Sequence, residues 1–244
     1  IYTGEDTLSL HDALPIWVRQ GIRAFWKQPL ALSGLFFMFM ACMSVLSMVP
    51  WVGGFFALIF LPAASLGLMA ATREVDLDKF PMPLILVEGL RSGQDGRRKM
   101  LVLGLLYACG FIGVMGLSAL VDGGDFAKLY LVGGSLDMDT LMKPEFQNAM
   151  WLSLLLYMPL SMVFWHAPAL THWHGLPAFK SMFFSTVACL SNWRAFLVFG
   201  LMWSFIFLGT TLGITLISGL IGDNDFAAMA LLPAMLMLAA MFFS

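Results

Sequence analysis

The sequence predicts an all-α, polytopic membrane protein: six transmembrane helices arranged as three units, each an interfacial helix followed by a hairpin, with both termini on the cytoplasmic side. Composition is the first reason. Hydrophobic residues make up 60% of the chain and charged residues 11%, whereas a soluble domain carries about 25% charged residues. So little polar material cannot cover a water-soluble fold. Spacing is the second reason. Between Lys27 and Arg73 lie 45 uncharged residues, interrupted by the turn-forming "VPWVGG". The two stretches that result approach the roughly 20 residues a helix needs to cross a bilayer core of about 30 Å. Runs such as "LVLGLLYACGFIGVMGLSAL" lack the alternation of a spanning β-strand. Charge sidedness is the third reason. Eleven of the 13 Lys and Arg residues fall before the first span or in the even-numbered connections, and only Lys128 and Lys143 fall on the other side. The positive-inside rule therefore places the basic side in the cytoplasm.

The elements follow in chain order. "WVRQGIRAFWKQPL" puts Val18, Ile22, Phe25 and Trp26 on one helical face, with Arg19, Arg23 and Lys27 elsewhere on the wheel; this is the pattern of an amphipathic interfacial helix. Spans over Pro29–Val49 and Phe55–Ala71 follow. "LILVEGLRSGQDGRRK" is a weaker copy of the interfacial segment and leads into a third span, Met100–Val121. Residues 121–149 read as a solvated, acidic external loop, and a fourth span returns over about Met150–Ala167. "FKSMFFSTVACLSNWRAF" repeats the interfacial arrangement with Phe179, Phe183, Val187 and Leu190 on one face. The fifth and sixth spans are Ala195–Leu220 and Phe226–Ser244. Each returning span holds a proline (Pro62, Pro159, Pro233), which removes a backbone hydrogen bond and bends the helix. Small residues at Gly110, Gly113, Gly116, Gly209 and Gly213 suit close approach of helix backbones.

Little in this pattern carries chemistry. No Asp, Glu, Lys or Arg falls inside the six spans, so the usual mark of ion-coupled transport is missing. Ser161, Ser204, Thr210, Thr211 and Thr215 read as interhelical hydrogen-bond donors rather than nucleophiles. "FWHAPALTHWHG" gathers His166, His172 and His174, the only candidates for a metal. Their spacing is not the i, i+4 of a helical metal site, and no carboxylate lies nearby in sequence to orient a ligand; no metal, cofactor or catalytic residue is expected. Cys42, Cys109 and Cys189 have no pair spacing and read as small apolar residues. "DGGD" and "VGGS" lack the Lys-Ser/Thr of a phosphate loop, and the aspartates of the external loop lack the order of a calcium loop. Arg97, Arg98 and Lys99 follow the positive-inside pattern and suit anionic lipid. Without interleaved aromatics they do not suit nucleic acid.

From Trp17 onward, "WVRQGIRAFWKQPLALSGLFFMFM", "LPAASLGLMAA", "FWHAPALTHWHGLPAFKSMFFSTVAC" and "LLPAMLMLAAMFF" resemble an uncharacterised family of multi-pass inner-membrane proteins from proteobacteria. The resemblance spans residues 17–244 as a single transmembrane domain and implies a bacterial inner-membrane location. It supplies no catalytic residues, and it implies a short polar tail beyond Ser244. Residues 1–16 stand outside it. "TLSLHDALPI" resembles a translated sequencing-adapter fragment, and the chain starts at Ile1 although it holds 19 methionines. This segment is expected to be non-native and disordered. Its Ser9, His11 and Asp12 have the composition of a hydrolase triad, but they are neighbours in sequence rather than groups assembled by a fold. Three function classes follow. A non-enzymatic structural or lipid-interacting component needs only the spans, interfacial helices and basic patches. A transporter or exporter of weakly charged cargo is the alternative, using the bent returning spans around a central path. An intramembrane enzyme would need a positioned nucleophile or metal.

Overall fold

The computed structural model describes residues 10–50, 52–133, 137–222 and 224–243, and these form helices, turns and short connections with no strand among them. In chain order the helices are α1 (Leu10–Lys27), α2 (Pro29–Ser47), α3 (Gly53–Asp76), α4 (Glu88–Arg91, after a 3₁₀ turn at Pro83–Val87) and α5 (Gly93–Asp122). They continue with α6 (Asp125–Val132), α7 (Met138–Leu141), α8 (Pro144–Trp165), α9 (Ala167–Trp173), α10 (Ala178–Ser191), α11 (Trp193–Ile221) and α12 (Asn224–Phe242). Among the described residues six segments are long and apolar enough to cross a membrane: α2, α3, α5, α8 continued by α9, α11 and α12. Several outrun the spans read from hydropathy. The helix of α3 continues through Arg73 and Glu74, and that of α5 begins seven residues before Met100, because backbone hydrogen bonding does not stop where the apolar run stops. Pro62, Pro159 and Pro233 all lie inside helices, in α3, α8 and α12.

Contacts gather the chain into two units, each described in turn. The first unit takes residues 1–40, 68–86 and 190–244. In it α1 packs against α11 and α12. Val18 and Phe25 are fully enclosed, while Arg19 and Arg23 face outward. Thus the apolar face expected to rest on lipid is filled by protein. Trp26 departs from that face and is 62% exposed. At the end of α1, Lys27 donates to the Asp76 carbonyl at 3.2 Å and pairs with Asp78 at 3.4 Å. Trp203 on α11 is buried among Phe199, Phe207 and Phe242. Of the adapter-like stretch, residues 1–9, with Ser9, lie outside the described residues, whereas residues 10–16 form the start of α1.

The second unit takes residues 41–67 and 87–189 and centres on α5 and α8. Met100, Leu103, Tyr107, Phe111, Val114 and Met115 of α5 form its buried core with Ala63 and Leu66 of α3 and Phe164 of α8. Gly104 is where backbones meet: a Cβ there would collide with the Ile59 carbonyl of α3. Gly110 fits under Leu160, but Gly113, Gly116, Gly209 and Gly213 have open space where a Cβ would sit. The close approach expected of these glycines is therefore made by Gly104 instead. A glycine pattern does not say which side of a helix is occupied.

Two other expectations are corrected. "LILVEGLRSGQDGRRK" does not form an interfacial helix; it breaks at Ser92 between α4 and α5, where Gly93 takes a φ of 75° that only glycine adopts without strain. The connection over residues 121–149 is not simply solvated. After Gly123 and Gly124, both at positive φ, the Asp122 carboxylate accepts from Gly124 N–H at 2.8 Å and Phe126 N–H at 2.7 Å, starting α6. Phe126 then packs on Phe146, and Tyr130 on Phe111. "DGGD" is a capped helix-to-helix turn.

Candidate functional site

The polar side chains of the second unit concentrate where α8, α9 and α10 meet the start of α5. Pro168 stands at the beginning of α9, where its missing N–H does no harm, and the chain kinks at His166 between α8 and α9. Ser185 of α10 bridges the kink: its Oγ accepts from His166 N–H at 2.9 Å and donates to the Met162 carbonyl at 2.8 Å. Those are the two backbone groups that a continuous helix would join directly. Ser181, one turn earlier and fully buried, is joined to Thr171 of α9 by a 2.9 Å hydrogen bond. Cys189, one turn later, directs its thiol at the Met162 carbonyl at 3.5 Å. Burial pushes that thiol's pKa up, partly opposed by a hydrogen bond with Ser185.

The faces of α10 follow from this ladder. Ser181, Ser185 and Cys189 point inward, while Phe179, Phe183, Val187 and Leu190 point outward and are exposed. This apolar face is not covered by the described residues, unlike that of α1. The serines and threonines singled out within spans behave differently. Ser161, Ser204, Thr211 and Thr215 donate to carbonyls three or four residues back in their own helices, the local alternative open to any helical hydroxyl. Thr211 also reaches the Met235 sulfur at 3.9 Å. Between α5 and α8, Tyr107 and Tyr157 bring their hydroxyls to 3.4 Å.

The three candidate histidines are not brought together. His166 marks the kink, and His174 is exposed at the end of α9. His172 has a built environment, its side chain 12% exposed. Its Nδ1 lies 2.6 Å from Ser92 Oγ and its Nε2 lies 3.7 Å from Glu88 Oε1. A carboxylate does therefore lie beside a candidate histidine, supplied by α4, eighty-odd residues upstream. The order serine, imidazole, carboxylate is that of a hydrolase, but 3.7 Å is too long for the hydrogen bond that orients a catalytic imidazole. What the group does is hold α9 against the α4–α5 turn. Lys99 reinforces it, pairing with Asp95 at 2.6 Å and donating to the Gly175 carbonyl at 3.1 Å. No group of three or more His, Cys, Asp or Glu side chains suited to a metal occurs among the described residues.

The basic segment at the head of α5 is thus divided. Lys99 is engaged within the protein, whereas Arg97 and Arg98 are exposed. They line, with Gln94, Leu101, Val102 and Leu105, a shallow groove along one side of α5. Sequence alone did not separate the three cations, since the partners of Lys99 include a carbonyl 76 residues away.

Among known proteins, the chain is 38% identical over 231 residues, covering 93% of its length and 86% of the relative's, to a protein of Burkholderia thailandensis named as a probable inner membrane protein. No family model matches the chain, and no solved structure matches it.

Proposed function

Because the chain belongs to the family of that Burkholderia inner membrane protein and is itself a multi-pass helical membrane protein, we propose that it acts without catalysis, as a structural and lipid-interacting component of the inner membrane with both termini in the cytoplasm. The observation that carries this reading is the placement of exposed cations. Arg91, Arg97, Arg98, Lys180 and Arg194 stand on the surface in the connections before α5 and α11, where a cytoplasmic leaflet would present anionic headgroups. The outward apolar face of α10, between Lys180 and Arg194, adds the hydrophobic half of an interfacial contact. Arg97, Arg98 and Lys99 are the proposed anionic-lipid contact, with Lys99 acting mainly to hold α5 against the end of α9.

Two measurements test the reading. In spheroplasts, a Lys143→Cys variant is expected to react with an impermeant maleimide from outside and Lys180→Cys only after permeabilisation; the reverse pattern overturns the orientation. Reconstituted protein is expected to have a higher thermal midpoint in phosphatidylglycerol bilayers than in phosphatidylcholine. Equal midpoints, or solute flux that depends on the protein, overturn the lipid-interacting role.

A further inference from the structure

The groove on α5 has a polarity gradient along a single helical face. Gln94, Arg97, Arg98, Leu101, Val102 and Leu105 stand at i, i+3, i+4, i+7, i+8 and i+11, so they form one stripe. Its first three members are polar or cationic and its last three aliphatic. At 1.5 Å per residue, the step from the arginines to Leu105 is about 12 Å, and it crosses the point, near Met100, where the uncharged run of α5 begins. Leu101, Val102 and Leu105 are each more than a third exposed. Neither arginine has an ion-pair or hydrogen-bond partner among the described residues, while the adjacent Lys99 has two. Two unpaired guanidinium groups above three exposed aliphatic side chains match a phosphodiester above an acyl chain, in charge and in order of polarity.

We propose that this stripe is a binding site for one anionic glycerophospholipid. The phosphate lies against Arg97 and Arg98, with Gln94 able to donate to the phosphate or glycerol oxygens, and the first part of one acyl chain lies along Leu101, Val102 and Leu105. This inference rests on the lipid-interacting role and adds to it a defined stoichiometry and place. A diffuse basic surface would attract any anionic lipid in proportion to its charge. A site with an apolar half responds also to shape.

The two cases separate by native mass spectrometry of the full chain, released from neutral detergent after exposure to phosphatidylglycerol or phosphatidylcholine. The wild type is expected to retain one phosphatidylglycerol in preference to phosphatidylcholine. R97Q/R98Q is expected to weaken that retention about tenfold or more, since each lost charged hydrogen bond is of the order that changes binding tenfold. V102W/L105W, which fills the aliphatic half without altering charge, is expected to weaken it as well. K128Q/K143Q, which removes the same charge from two exposed lysines outside the basic connections, is expected to leave it unchanged. Equal losses in R97Q/R98Q and K128Q/K143Q, or full retention in V102W/L105W, overturn the site but leave the lipid-interacting role standing. No preference for phosphatidylglycerol in the wild type overturns both. Displacement of the lipid by millimolar glycerol 3-phosphate would show a site for a soluble phosphate and would overturn the lipid assignment. Thermal midpoints in detergent within a few degrees of wild type confirm that each variant is folded.

Discussion

Ser185 and Gly104 are the two residues on which the second unit turns. Removing the Ser185 hydroxyl leaves the Met162 carbonyl and the His166 N–H without their bridge, and a polar group stranded in an apolar site costs about 1–3 kcal/mol. Ser185→Ala is therefore expected to lower the thermal midpoint in detergent, whereas Thr186→Ala, next to it but bonded only within α10, is expected to have a much smaller effect. Gly104 admits no side chain, because the Ile59 carbonyl occupies the place of its Cβ. Gly104→Val is expected to cost about 1–3 kcal/mol or more through overpacking, while Gly113→Ala, with open space around it, is expected to stay within about 0.5 kcal/mol. Denaturation of the two variants side by side checks the contrast; equal losses would mean that α3 and α5 do not meet at Gly104. The histidines belong to this scale too. Their clustering in sequence made them the candidates for a metal, but the fold does not bring the three together, and Glu88 and Ser92 could not be paired with His172 before the fold was known.

Among the elements, α10 and α6 show how a short helix obtains its position. The inward side of α10 is a ladder of Ser181, Ser185 and Cys189, and its aromatic and aliphatic residues face out. Phe183→Ser is expected to leave the folded core intact but to weaken association of this segment with the bilayer, read as reduced quenching by brominated lipid of a Trp introduced at Leu190. Ser181→Leu, on the fully buried side, is expected instead to destabilise the fold by about 1–3 kcal/mol. Comparable stability losses in both would contradict the assignment of faces. The start of α6 depends on Asp122, which holds two backbone N–H groups. Asp122→Ala is expected to cost about 1 kcal/mol, as loss of an N-terminal cap does, and to raise hydrogen exchange in residues 124–128. Unchanged exchange there would rule out the capping role. The amphipathic pattern of α1 and α10 was legible as a 3.6-residue period. What that period could not show is that α1 spends its apolar face on α11 and α12 while α10 keeps its own free.

For the whole molecule, the number, order and approximate extent of the spanning helices, and the lack of Asp, Glu, Lys and Arg in their apolar runs, were legible in the chain. A bilayer core requires about 20 apolar helical residues, and that requirement is local, so a run of uncharged residues meets it or does not. Family membership and the inner-membrane location agree with that reading. The division into two units, the meeting of α3 and α5 at Gly104, the clamp of α9 on the α4–α5 turn and the release of Arg97 and Arg98 from internal pairing came only from tertiary structure. The physical reason is that lipid and protein interior are about equally apolar. Hydropathy therefore reports that a residue such as Val18 or Phe183 avoids water. Whether it does so against a neighbouring helix or against an acyl chain depends on contacts between distant parts of the chain.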